Sequence, residues 1–471
     1  MPRLRSPARI SGMLSISPLH SDVAALRHAL TGSVVLPGDD GWDAARQAWN
    51  LAADQRPALV ALPESAADVQ ALVDFARTRG LRVAMQGTGH NATPLGPLDD
   101  TLLVKTERMR AVEIDERNCV ARVEAGALWI DVTAPASEAG LAPLAGSSPD
   151  VGVVGYTLGG GLSWLGRKYG LAANRLLSAE VVTADGRLVH ASRNENPDLF
   201  WALRGGGGNF GAVVAIEFEL IPLRKVHAGM MLFPWEQARE VMQAWREWTA
   251  EVPDSVTTSI RIMQLPPMPE LPEFLRGRGV VLIDGAVVED AERAAELLAP
   301  LRALGPEIDT FADMPPVGLS RIHMDPEEPM PGMSDSMMLD GLSEETVDAL
   351  VDTAGPGSGS PLLMVELRHL GGALGRYAGG ALSRFDGEYL YFAGGIPMDP
   401  AVIAALEAHL AIVASALSPQ SSGRHYLNFA ERKVDPVAFY GEEAYARLRE
   451  VKAEVDPLEL FRGNHEIPAA S

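Results

Sequence analysis

Cysteine is almost missing from this chain: Cys119 is the only one in 471 residues. An internal disulfide framework is therefore impossible, and the composition suits a reducing compartment. Basic residues are scarce beside acidic ones, 40 against 62, which gives a formal net charge of −22. Nucleic acids and anionic membranes attract proteins mainly through Lys and Arg, so neither is expected as a partner. No run approaches the roughly eighteen consecutive apolar residues of a spanning helix. Arg3, Arg5 and Arg9 precede the first acid, Asp22, but Ser and Pro interrupt any apolar stretch there. That pattern reads as a disordered basic tail and not as a secretory signal, so a cytoplasmic location is expected, with export by another kind of signal left open.

Several chemical signatures are absent too. No glycine loop is followed by Lys and then Ser or Thr, and there is no Gly-x-Ser-x-Gly, so a P-loop ATPase and a hydrolase elbow are both excluded. The ten histidines include no pair at i, i+4 beside a Glu, so no metal site is expected. What remains is a globular chain, 47% apolar and long enough that two domains are the default.

The most informative stretch is Gln86-Gly87-Thr88-Gly89-His90-Asn91, directly after the strand-like run Leu81 to Met85. Small residues let successive backbone N–H groups converge on an anion, while the imidazole is a nucleophile that can attach to whatever carries the anion. A helix precedes the strand: Ser65 caps it with Asp68 as reciprocal partner, Val69, Leu72, Val73 and Ala76 share a face, and Gly80 ends it. The loop thus sits at a strand's exit, unlike a dinucleotide fingerprint, whose glycines lie between a strand and the following helix. Two other glycine runs, Gly159 to Gly161 and Gly205 to Gly208, invite a nucleotide label. For the second, close passage of two backbones is the better reading.

After Leu220 the texture changes to Pro-containing loops, an alternating strand from Thr257 to Met263, and helical patterns at residues 236–250 and 290–304. Residues 306–340, rich in Pro, Met and Asp, read as a long loop region. Cys119 lies in an alternating apolar run and reads as a small buried residue in a strand.

The segments SSPDVGVVGYTLGGGLSWLGRKYGLAANRLLSAEVVTADG, RGGGGNFGAVVAIEFEL and, near the C-terminus, YLNFAERKVDPVAFYGEEAYARLREVKAEVDPLELFRGNHEI resemble the FAD-linked oxidases of the vanillyl-alcohol-oxidase fold, in the berberine-bridge-enzyme-like branch. The likeness runs from about Leu36 to Leu220 and again over the C-terminal forty or so residues. It implies an α+β, two-domain FAD-binding fold of the PCMH type, with a mixed, mainly antiparallel substrate sheet carrying helices on one face. The implied division is a lead-in at 1–35, an FAD-binding domain at 36–220, a substrate domain at 221–423, and a segment at 424–471 that completes the FAD domain.

By position, the resemblance implies that Gln86 to Asn91 hold the FAD diphosphate and that His90 bonds through a ring nitrogen to the flavin 8α methyl. Many relatives have a second link from a cysteine where this chain has Ser148, and Cys119 does not match that position, so only the histidyl link is expected. Val151, Gly152, Gly155, Tyr156, Gly160, Val213 and Asn428 complete the implied cofactor contacts. Val151, facing the flavin's reactive region, is small enough to admit oxygen and points to an oxidase. Gln86, Tyr156 and Asn174 depart from the arginine, histidine and aspartate common in relatives; the first two bear on redox tuning.

A bound flavin accepts a hydride from a substrate C–H, and the protein must position the substrate and remove its O–H or N–H proton. Tyr426 and Glu366 are the candidate bases, with Tyr426 placed slightly ahead. Glu366 and Arg368 share one face of an alternating strand, and His369 takes the other. The expected function is an FAD-dependent oxidase acting on an alcohol, sugar or amine with O2 as acceptor. A dehydrogenase, an oxidative cyclase and a flavin-bound protein without turnover remain alternatives, and the oligomeric state is silent.

Overall fold

The computed structural model describes residues 16–269 and 273–470. The expected basic tail falls on residues 1–15, outside the described residues; a helix begins at Ile16. Three main sheets follow. The first contains Ser33–Val35, Leu59–Leu62, Thr101–Lys105 and Arg82–Gln86 in that spatial order, the last three strands parallel.

Helix Ala66–Arg79 covers this sheet, burying Val69, Leu72, Val73 and Ala76 completely. Each of the three larger side chains is worth about 1.5–3 kcal/mol on burial. Ser65 caps the helix by accepting the Asp68 amide, and Gly80 ends it at φ 65°. The Asp68 carboxylate does not complete the reciprocal cap. It instead accepts from Thr31 N and Oγ1, Gly32 N and Glu64 N, binding the lead-in to the helix start. Several donors compensate a buried carboxylate better than one amide does.

The second sheet is antiparallel, in the order Val112–Asp115, Val120–Glu124, Ala212–Glu219, Leu176–Val182, Leu188–Ser192. Cys119 is not within a strand. It is half-buried at φ 54° in the turn that leads into Val120–Glu124, because the chain reverses tightly after Asp115. The run from Gly205 packs closely, as read: a Cβ at Gly205 would sit 2.3 Å from that of Leu382.

The third sheet pairs antiparallel at every described strand. Its members include Val226–Pro234, Val256–Gln264, Gly279–Val287, Met364–His369, Tyr389–Gly395 and Met333–Leu339. The last lies in the segment read as a loop. Its alternation was hidden in the sequence because two of its buried positions are Ser334 and Ser336. One face carries Ile260, Ile283, Val365, Leu367 and Tyr391 against helices Ala238–Thr249, Ala291–Arg302, Glu344–Ala354 and Pro400–Leu417. The stretch Pro400–Gln420 is long and apolar enough, by length and composition, to cross a membrane. In this fold it buries Leu406, Leu410, Val413 and Leu417 in the same core.

The other face of the sheet meets Trp164 and Phe429 through Arg368. At the ends of its strands Arg167 adds an anchor, with Nε donating to Val256 O at 2.7 Å and Nη1 2.7 Å from His369 Nε2. Burial, aided by the Arg167 charge, pushes His369 down to about 2, so it stays neutral. The C-terminal segment returns to the first sheet, where Val83 N donates to Leu460 O and Arg462 N to Val83 O. Lys452 fixes this return from a buried position, reaching Asp456 Oδ2 and Asn209 O at 2.6 Å and Phe461 O at 3.0 Å.

Candidate active site

Strand Arg82–Gln86 delivers the loop 86–91 to the seam between the sheets, and the loop is braced from both sides. Trp49 N and Asn50 N donate to Thr88 O and Gly89 O, while Asn91 Nδ2 donates to Leu427 O from the C-terminal segment. The His90 ring stacks on Trp49 with centroids 4.1 Å apart and planes 15° off parallel. His90 Nδ1 is 2.8 Å from Thr88 Oγ1, and its buried Nε2 has no hydrogen-bond partner, with Asp150 Oδ1 at 3.5 Å.

Asp150 is itself held by Ser148 Oγ and Trp49 Nε1, both at 2.6 Å. Burial acts to raise its pKa, but the nearby His90 and the bonds from Ser148 and Trp49 bring it below the ordinary carboxylate value. Ser148 therefore occupies the expected position as a hydroxyl donor to Asp150.

Gly152 packs against the loop: a Cβ there would lie 3.8 Å from Thr88 Cγ2. Val151, half-buried, uses its carbonyl to accept from Trp129 N. Gly155 is exposed with open space beside it, and Val213 packs in the apolar core that also holds Val153 and Val154. Tyr156 donates its hydroxyl to Leu144 O, and its carbonyl accepts from Asn428 Nδ2 at 2.9 Å. Asn428 lies directly over Gly159, where a Cβ would come within 1.7 Å of Asn428 Oδ1, so any larger residue would displace the Asn428 amide.

Tyr426 is fully buried beside Gly160, and its hydroxyl oxygen accepts from Gly161 N at 3.0 Å and Asn428 Nδ2 at 2.9 Å. Burial pushes this phenol above its usual pKa, against the pull of those donors. Glu366 and Arg368 do share a face, the one turned from the helices. Arg368 Nε donates to Glu366 Oε1 at 2.9 Å, leaving buried Oε2 without a partner. The Arg368 guanidinium lies over the rings of Trp164 and Phe429, which joins it to the flavin-side loop and the C-terminal segment.

The sequence reading missed the rest of this polar face. Register sets Ser259 opposite both Asp284 and Arg368, and Arg261 opposite Glu366. Asp284 is completely buried, accepting from Ser259, Arg261 and His323; the charges of Arg261 and His323 outweigh burial and lower its pKa. His323 Nε2 lies 3.5 Å from Glu366 Oε1 and 3.8 Å from Asp325, which also binds Ser147. Strand alternation could have placed Arg261 and Asp284 on the Glu366 face. Nothing local marks His323, which lies in the segment read as loop.

On the loop 86–91 and the helix Val153–Leu158, four buried polar atoms have no protein partner: Gln86 Nε2, His90 Nε2, Asn91 Oδ1 and Thr157 Oγ1. Buried polar atoms are normally paired, so a row of them along one seam fits a polar ligand lying there. This donor set suits the polar parts of an FAD. Among the described residues no cluster of His, Cys, Asp and Glu suits a metal ion.

Comparison with known proteins agrees in kind. Residues 57–192 match the FAD binding domain family and residues 425–468 the berberine and berberine-like family. The chain is 30% identical to (R)-6-hydroxynicotine oxidase of Paenarthrobacter nicotinovorans, over 93% of this chain and 97% of that protein. In fold it is similar to Physcomitrella patens BBE-like 1, with a TM-score of 0.83 at 20% identity over 95% of this chain and 99% of that one. It is likewise similar in fold to the glucooligosaccharide oxidase of Acremonium strictum, described as carrying a 6-S-cysteinyl, 8α-N1-histidyl FAD. There the TM-score is 0.80 at 23% identity over 95% and 99% of the two chains.

Proposed function

Since this chain belongs to the family of FAD-linked oxidases that join an FAD binding domain to a berberine-like segment, we propose that it oxidises a small alcohol, sugar or amine with its flavin held through His90 alone. It is an FAD-dependent oxidoreductase of PCMH-type fold. The reading of its tether rests on one observation: the imidazole of His90, held on Trp49 at the end of a loop whose Gln86 and Asn91 carry unpartnered buried polar atoms. The lone cysteine supports both a single link and a reducing compartment. Residues 36–220 with 424–471 act as the FAD-binding unit, and 221–423 as the substrate-binding unit; the polar face of the third sheet supports this division.

The bound flavin supplies the hydride acceptor. The chain's own residues handle the proton. Between the two candidate bases the geometry supports Glu366, reversing the order suggested by sequence. Its Oε2 is uncommitted, while Arg368 holds Oε1 and so aims the free oxygen. The Tyr426 oxygen already accepts two N–H donors, and burial disfavours its anion. Tyr426 is better suited to donate its hydroxyl proton to the substrate's oxygen or nitrogen and so orient it. The rings of Trp164 and Phe429, with the Arg368 guanidinium over them, wall the site of transfer.

Val151 supports O2 as the electron acceptor, giving hydrogen peroxide. The test is to reduce the enzyme anaerobically and mix it with air-saturated buffer. Rapid return of the yellow flavin spectrum with stoichiometric peroxide is expected; persistence of reduced flavin until an artificial acceptor is added would establish the dehydrogenase alternative instead.

A further inference from the structure

Asp150 is a half-buried carboxylate at the His90 corner, and nothing in the oxidation step requires it. Two donors at 2.6 Å, Ser148 Oγ and Trp49 Nε1, fix its position. It faces the edge of the imidazole opposite Thr88, with Oδ1 3.5 Å from Nε2 and Thr88 Oγ1 2.8 Å from Nδ1. Trp49 both donates to the carboxylate and stacks on the ring, so it sets the orientation of the two groups together.

A carboxylate facing one ring nitrogen keeps the proton there and leaves the lone pair on the other. We propose that Asp150 is a positioning residue for attachment of the cofactor: it holds the His90 proton on Nε2, directs Nδ1 to the flavin 8α carbon, and receives the Nε2 proton as the bond forms. This rests on the His90 link proposed above. The balance is complete. A bond forms between Nδ1 and the 8α carbon, one C–H of the methyl and the Nε2–H are given up, and two electrons enter the ring system. Dioxygen, the acceptor of the proposed oxidase, then takes those electrons with the two protons as hydrogen peroxide. Thr88 Oγ1 covers Nδ1 in the present geometry and must turn away, which makes its hydroxyl a second control on the step.

The test uses the full chain produced under riboflavin starvation, supplied with FAD and sampled over time. Flavin fluorescence on the denatured polypeptide reads covalent capture, and quenching of free FAD fluorescence reads non-covalent binding. Asp150→Asn should bind FAD as the parent does but capture it about 100-fold more slowly, the scale of a lost proton acceptor. Asp150→Glu should recover much of the rate, which a purely structural role would not allow. Trp49→Phe, which keeps the stack but loses the donor, should fall between. Capture by Asp150→Asn at the parental rate overturns the proposal while leaving the His90 link intact. Loss of FAD binding in both Asp150 variants assigns Asp150 a structural role and also overturns it. No capture by the parent chain itself would mean that the link, and not this residue's part in it, is wrong.

Discussion

Replacing Glu366 with glutamine exchanges one oxygen for an NH2 group and changes almost no volume, which makes it the sharpest probe of the chemistry. In the parent, Oε1 accepts from Arg368 Nε at 2.9 Å and Oε2 is free. Glutamine keeps an oxygen for Arg368 but offers an N–H2 donor, or a far weaker base, where the free oxygen stood. Loss of a positioned base costs about 10²–10⁴ in rate, which is about 2.7–5.5 kcal/mol of barrier at ~1.36 kcal/mol per decade. The assay is anaerobic stopped-flow reduction of the flavin by substrate, with flavin content measured on the same sample. Glu366→Gln should retain covalent flavin and lose at least about 100-fold in reduction rate. Tyr426→Phe should lose less in rate, with a rise in the substrate concentration needed for half-saturation, because it removes an orienting donor. If Tyr426→Phe is the more crippled of the two and Glu366→Gln falls by less than about tenfold, the free carboxylate oxygen is not the acceptor.

Two predictions concern stability. Lys452→Ala strands the Asp456 carboxylate and two backbone carbonyls in the interior, so it should destabilise the FAD domain by about 3–5 kcal/mol in denaturant titration; a loss below about 1 kcal/mol would show that solvent reaches the site. His369 is pushed from 6.5 to about 2, so its neutral form contributes stability that is present above pH 6.5 and lost as pH falls toward the folded value. Between pH 6.5 and 5 that loss is about 2 kcal/mol at ~1.36 kcal/mol per unit. His369→Gln should flatten the pH dependence of unfolding by about that amount, and an unchanged slope would contradict the burial argument.

Local pattern carried much of the fold. Helix Ala66–Arg79 and its ends were visible in Ser65, the apolar face and Gly80, because capping and periodicity act within one turn of their cause. The strand Met364–His369 was equally legible, and its alternation separated Glu366 from His369. Cross-strand facts were not visible. Whether Arg261 meets Glu366 or Asp284 depends on register between strands more than a hundred residues apart in one case, and only the folded sheet sets it. Met333–Leu339 was lost to its polar half, and His323 with it. Asp150 sits two residues from Ser148 but acquires its meaning from Trp49, about a hundred residues earlier. The order proposed for Glu366 and Tyr426 likewise draws on the folded structure, because sequence cannot say which oxygen already has its partners.

The central claim is the bond at His90. The most direct measurement is to precipitate the purified protein with acid, wash it, and compare flavin absorbance on the pellet for the parent chain and His90→Ala. The account predicts yellow polypeptide from the parent and colourless polypeptide, with free FAD in the supernatant, from the variant. Flavin that stays with the His90→Ala chain, or leaves the parent chain entirely, would contradict it.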